Sequence, residues 1–233
     1  MKNFLKIKLI LLGILLFSCS SKNKTNESGI TKIYDFNDLT EWEDASLNTN
    51  QNINYIIENG NLKIFTNANT WERPKVKTID KFTSGTYIWR VYIPEIGIGD
   101  MTNISGFLYN DDMHELDFEI GYGTQIVRNQ LMAQSDDLIV YMTSQGNPYQ
   151  SIQKKIKRGR WYNLSLEIKV NPDGLYQVNW TINDLILTTL ELTYGNETNF
   201  NIYCSVENLK FIGNHIPQNN NYALFDFVEI KRN

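Results

Sequence analysis

His114-Glu115-Leu116-Asp117-Phe118-Glu119-Ile120-Gly121 sets acidic and apolar residues in alternation. In a β-strand successive side chains point to opposite faces. Glu115, Asp117 and Glu119 then share one face, and Leu116, Phe118 and Ile120 share the other. The apolar set fits the core of a sheet protein, which leaves three carboxylates on an open face. Four residues of strand separate the two glutamate Cα atoms by ~13 Å. On a concave sheet their carboxyl groups could converge to roughly 5–6 Å, the separation a retaining glycosidase uses for its nucleophile and its acid. Repulsion within the trio should hold at least one carboxyl protonated near neutral pH, as a general acid requires. Two other readings of the same residues stay open: a solvated outer strand face, and a calcium site built from carboxylates.

The flanking sequence reads as strand after strand. Asn59-Gly60 between Asn54–Glu58 and Asn61–Phe65 is a two-residue hairpin signal. Thr86 to Ile93 is β-branched and aromatic and stops at Pro94. Trp161 to Val170 runs into the turn Asn171-Pro172-Asp173-Gly174, and Tyr176 to Ile182 returns. Tyr222 to Lys231 closes the chain. No long stretch has helical period, so the fold class expected is all-β, a sandwich or barrel.

The start of the chain has a different character. Lys2, Lys6 and Lys8 precede the apolar run Leu9–Phe17, which is too short to span a bilayer and has the form of a signal-peptide core. Leu16-Phe17-Ser18-Cys19 resembles the bacterial lipobox, which implies lipidation of Cys19. Residues 20–29 are polar and without apolar period, as a tether would be. The expected organisation is therefore a signal peptide at 1–18, a flexible tether at 19–29 and one β-sandwich domain at 30–233. The location implied is the bacterial cell envelope, on its periplasmic face or its surface, with membrane contact through the lipid only.

The formal charge of −4 excludes the basic profile of a nucleic-acid binder. Removal of the leader leaves 19 basic residues against 26 acidic ones, a mildly acidic surface suited to a neutral sugar. With Cys19 lipidated, Cys204 has no disulfide partner and reads as a small buried hydrophobe. His114 and His215 are the only histidines, and no H-E-x-x-H, C-x-x-C or G-x-S-x-G pattern occurs. No cofactor is expected, structural calcium is left open, and a monomer is expected.

Glu115-Leu116-Asp117-Phe118-Glu119 resembles the E-[ILV]-D-x-E signature of glycoside hydrolase family 16, the laminarinase, lichenase and agarase group. Ser84–Val91, Trp161-Tyr162, Gln177–Asp184 and Phe225–Val228 are similar, in order, to further strands of that family. The resemblance implies a concanavalin-like jelly roll of two antiparallel sheets with a concave cleft. It also implies Glu115 as nucleophile, Glu119 as general acid/base and Asp117 between them. Arg90 falls where the family's arginine contacts substrate. The chain departs from the family at Ile88, where an acid is usual, at His114, and in Met101–Asn110, which holds no Trp.

Alternation along Thr86–Ile93 puts Arg90 and Tyr92 on one face, both candidates for the cleft, and Trp89 in the core. Trp71 is a candidate cleft wall, and Tyr122, just past the carboxylate strand, another. Asn129 is expected on the following strand within reach of a sugar hydroxyl, and His114 is a candidate to adjust Glu115 by hydrogen bonding. Trp161 and Trp180 are expected inside. The function expected is an endo-acting retaining glycoside hydrolase cleaving a β-linked glucan or galactan. The alternative is a non-catalytic carbohydrate-binding lipoprotein of the same fold.

Overall fold

A computed structural model describes residues 31–48 and 52–232. The expected signal peptide, tether and Cys19 lie outside the described residues. Fifteen strands follow one another: β1 (Thr31–Tyr34), β2 (Trp42–Asp44), β3 (Tyr55–Glu58), β4 (Asn61–Thr66), β5 (Lys75–Thr78), β6 (Gly85–Ile93), β7 (Thr102–Asp111), β8 (His114–Gly121), β9 (Asp137–Ser144), β10 (Gln150–Lys157), β11 (Arg160–Val170), β12 (Leu175–Ile182), β13 (Leu185–Gly195), β14 (Asn201–Asn208) and β15 (Asn221–Lys231). One short helix, α1 (Gln125–Gln130), stands between β8 and β9.

The strands form two antiparallel sheets. The back sheet runs β13-β12-β11-β6-β15-β4-β3, with β1 also paired to β15. The front sheet runs β10-β9-β8-β7-β14-β5-β2, so the carboxylate strand β8 lies near its centre. Local chemistry explains the turns. Asn59 and Gly60 take φ of 53° and 74° between β3 and β4, and Asn183 and Asp184 take 47° and 67° between β12 and β13. Such left-handed pairs favour Asn, Asp and Gly, and their twist matches the flanking strands. In the turn after β11 the Asn171 side chain accepts from the amides of Asp173 and Leu175.

Both sheets turn one apolar face inward. The back sheet contributes Tyr87, Trp89, Val91, Leu164, Leu166, Val178, Trp180 and Phe225; the front sheet contributes Leu108, Leu116, Phe118, Ile120, Val140, Ile202 and Val206. Each such side chain stabilises the fold by roughly 1.5–3 kcal/mol relative to exposure. Cys204 lies here too, fully buried as a free thiol, so the sequence expectation for it holds. Strands β9 and β14 are buried along their entire length. Their outward faces are therefore recessed, forming a floor rather than an open surface.

Candidate active site

The outward face of the front sheet carries the site. Register places residues in rows across the strands. One row is Gln153 (β10), Tyr141 (β9), Glu119 (β8), Ser105 (β7), Ser205 (β14) and Lys75 (β5). The next is Ser151, Thr143, Asp117, Phe107, Tyr203 and Lys77 in the same strand order. The alternation of β8 is as expected: Leu116, Phe118 and Ile120 are fully buried in the core, while all three acids line a cleft on the other face.

That cleft holds about 520 Å³ and is walled by Arg73, Lys75, Phe107, Tyr109, Tyr203, Glu207 and Phe211 around the carboxylates. On the far side of β8 a second groove of about 470 Å³ continues past Glu119, Gln145 and Phe211 to Tyr141, Thr143, Tyr149, Ser151 and Gln153. The carboxylate strand thus divides one long depression into two unlike halves. The first contains Arg73, Lys75 and Glu207. Beyond the shared Glu119, Gln145 and Phe211, the second is lined by hydroxyl and amide side chains.

Burial and mutual repulsion set the three acids apart. Asp117 is 2% exposed. Burial, then the charges of Glu115 and Glu119, push its carboxyl well above the usual range. Asp117 shares a hydrogen bond with Glu115 and accepts another from Gln145 Nε2 at 2.9 Å. Two carboxyls sharing one proton cannot both ionise, so the more buried Asp117 keeps the proton and donates to Glu115. Burial raises Glu115 as well, but the Asp117 hydrogen bond and the Lys75 ammonium oppose it. Glu119 has neither aid. Burial first, then Glu115 and Glu207, push it up to about 8, against a partial pull from Arg73. The two glutamates flanking Asp117 therefore sit in unlike surroundings, Glu119 pushed up to about 8 and Glu115 raised by burial but drawn back by the Asp117 hydrogen bond and the Lys75 ammonium.

The structure corrects several expectations. Arg90 and Tyr92 share a face, but β6 belongs to the back sheet, so they lie on the side of the sandwich away from the cleft. There Arg90 donates to Asn163 Oδ1 at 3.2 Å, and Trp161 sits 5.5 Å from Tyr92 and 5.4 Å from the Arg90 guanidinium. Trp161 is accordingly half-buried on that outer face, not inside, whereas Trp180 and Trp89 are in the core as expected. Alternation assigns a residue to a face; it does not say which sheet the strand joins.

Asn129 is on α1, not a strand, and is exposed with its amide oxygen accepting from Gln125 Nε2 at 2.7 Å. Thr124 caps that helix, a signal legible in Gly123-Thr124 but overlooked amid the strands. Tyr122 is buried beneath the Arg128 guanidinium, 3.8 Å from its ring, and does not line the cleft. His114 points away from Glu115, as neighbours on a strand must. Its ring contacts Asp111 Oδ1 at 2.8 Å and packs edge-on to Tyr194. Trp71 is 45% exposed with Lys210 5.4 Å from its ring, and it stands outside the residues that line the cleft.

Sequence reasoning also passed over Lys75, Glu207, Tyr203 and Phe211. Tyr203, Ser205 and Glu207 alternate with Cys204 and Val206 as the acids and apolar residues of β8 do, the apolar set in the core and the other set toward the cleft, so the signal was present. Among the described residues no group of three or more His, Cys, Asp or Glu side chains is placed to hold a metal ion.

No protein-family model and no curated protein matches the sequence. Solved structures do share the fold. A Crh5 transglycosylase in complex with NAG superposes with a TM-score of 0.66 at 14% identity, over 88% of this chain and 85% of that one. A β-glucanase of Bacillus licheniformis gives 0.61 at 14% identity, over 89% and 100%. A laminarinase of Flavobacterium sp. UMI-01 gives 0.63 at 12% identity, over 86% and 99%. The jelly roll expected from the sequence resemblance is therefore the fold of this chain.

Proposed function

We propose that this protein is an endo-acting retaining glycoside hydrolase of β-linked glucan or galactan, exported and held at the cell envelope by a lipid on Cys19. The observation that carries the reading is the placement of Glu115 and Glu119 on one strand at the floor of a cleft, with Glu119 pushed up to about 8 and Glu115 drawn back by Lys75 and the Asp117 hydrogen bond. Similar folds bearing the names β-glucanase and laminarinase support it. The leader pattern Leu9–Cys19 supports export and anchoring.

In the first step the Glu115 carboxylate forms a bond to the anomeric carbon while the glycosidic C–O bond breaks. The proton of Glu119 passes to the departing oxygen. Glu119, now a carboxylate, takes a proton from water. The resulting hydroxyl adds to the anomeric carbon and releases Glu115 as a carboxylate. Asp117, neutral and hydrogen-bonded to Glu115, steadies the nucleophile without adding a third charge. Grooves on both sides of β8 leave room for sugars beyond the cut in either direction, which suits an endo-acting enzyme. No cofactor takes part in these steps.

A second reading, a glycan-binding module, has one observation in its favour: no Trp is among the residues lining either groove. The test is product release from a panel of β-glucans and β-galactans by the wild type and by Glu115→Gln. Cutting by the wild type alone supports the hydrolase. Binding without cutting by both proteins supports the module. Neither binding nor cutting removes both.

A further inference from the structure

Glu207 is a buried carboxylate in the charged half of the cleft, 3% exposed. A single oxygen, Oε2, accepts from Arg73 Nε at 2.6 Å and from Lys75 Nζ at 2.8 Å. Lys75 is itself 7% exposed. Removing one member of such a group strands an uncompensated buried charge. All three side chains line the same cleft as the β8 acids. They come from two elements far apart in sequence, β14 and the entry to β5.

We propose that Glu207 is a positioning residue of the hydrolytic site, clamping Arg73 and Lys75 so that their two positive charges are held beside Glu115 and Glu119 in the cleft. The proposal rests on the hydrolase reading. The clamp sets Lys75 where its ammonium favours ionised Glu115. The clamp's own negative charge disfavours ionisation of Glu119, against the pull of Arg73. Other charged and titratable groups facing these acids are few. Around Glu119 they are Glu115 and Asp117 on β8 and Tyr141 on β9. Around Glu115 they are Asp117, Asp112 in the turn before β8, Tyr109 on β7 and Tyr203 on β14. None of these is a cation; among the described residues Lys75 bears on Glu115 and Arg73 on Glu119, and Glu207 bonds both.

The experiment is a carboxyl-carbon NMR titration of protein labelled with [13C]glutamate, run beside the pH profile of glycan cleavage. In Glu207→Gln both Glu115 and Glu119 are expected to titrate at lower pH than in the wild type. Both limbs of the activity profile should follow, so that activity falls several-fold more at pH 8 than at pH 6. The double variant Lys75→Met/Glu207→Gln removes the buried pair together and covers the case in which the single variant fails to fold. In it Glu119 should still move down while Glu115 moves up, because Lys75 weighs more on Glu115 than Glu207 does. The two limbs then approach each other. A merely structural role lowers activity and leaves both titrations where they were, which overturns the proposal. Titrations that move as stated in a protein that cuts no glycan uphold the clamp and remove the hydrolase reading instead.

Discussion

Trp180 and Asp117 are joined across the sandwich: the indole Nε1 of Trp180 on β12 donates to the main-chain carbonyl of Asp117 on β8 at 2.9 Å. A second tryptophan repeats the device, with Trp89 Nε1 donating to the carbonyl of Tyr203 on β14 at 3.0 Å. Asp117 and Tyr203 lie in the same row across the cleft floor. The back sheet therefore holds the middle of the site at two points from behind. Trp180→Phe keeps an aromatic in the core and removes the donor. It is expected to cost about 1–3 kcal/mol, the range for an orphaned buried acceptor, and to lower glycan turnover. Chemical denaturation with parallel kinetics reads both.

Gly106 lies between these anchors on β7, paired with Phe118 and Cys204. A Cβ built there would stand 2.9 Å from the Trp89 ring. The glycine is required by the close approach of the indole. Gly106→Ala is expected to destabilise by about 1–3 kcal/mol through overpacking, measured as a shift in the denaturation midpoint at unchanged slope.

The raised acids give stability a pH dependence of definite sign. Glu119 and Asp117 hold protons in the folded state at pH values where the unfolded chain has lost them. Stability therefore falls as pH rises from the ordinary carboxylate range toward about 8, because the native state binds more protons than the unfolded one. Thermal melts should show higher stability at pH 5 than at pH 8. Glu119→Gln should remove part of that slope and stabilise the protein at pH 8, by on the order of 1–2 kcal/mol once coupling among the three carboxyls is allowed for.

If Glu119 supplies the proton to the leaving oxygen, its loss matters least where that oxygen needs no proton. Glu119→Gln is expected to lose ~10²–10⁴-fold on a polysaccharide, the usual contribution of a general acid. On an aryl glycoside with an acidic phenol the first step should be nearly retained. A burst of phenol followed by slow turnover is the expected trace. Equal losses on both substrates would count against the assignment.

Phe211 touches both halves of the depression, is 45% exposed and sits 6.1 Å from the Tyr141 ring, edge to face. Its apolar face is available to a pyranose ring. Phe211→Ala is expected to raise KM about fivefold to thirtyfold, as fits loss of roughly 1–2 kcal/mol of apolar contact, with little change in kcat. Inhibition assays against oligosaccharides of increasing length would locate the sugar it meets.

Much of this was legible in local pattern. Glu115, Asp117 and Glu119 read as one strand face because alternation is a property of neighbouring residues. The hairpin at Asn59-Gly60 read from residues that tolerate positive φ. What the sequence hid was long-range. Glu207 meets Arg73 and Lys75 across 134 and 132 positions, and no local signal pairs them. Arg90 shows the converse error: its face was correct and its sheet was not, since strand order is decided by which apolar faces pack together. Trp161 went the same way, because an aromatic on the outer face of β11 can bury itself against Arg90 and Tyr92 without entering the core. Asn129 was lost to a six-residue helix too short for periodicity to register.

The two halves of the depression on either side of β8 are chemically unlike, one charged by Arg73, Lys75 and Glu207, the other lined by Tyr, Ser, Thr and Gln. A polysaccharide is itself a directional object, with a reducing end and a non-reducing end. If such a chain is the substrate, laid across the sheet it meets a different surface on either side of β8, and turning it end for end is not an equivalent fit. On the hydrolase reading, binding orientation is in this way set by the floor of the cleft, with the Glu119 carboxyl presented to the same side of the bond that breaks.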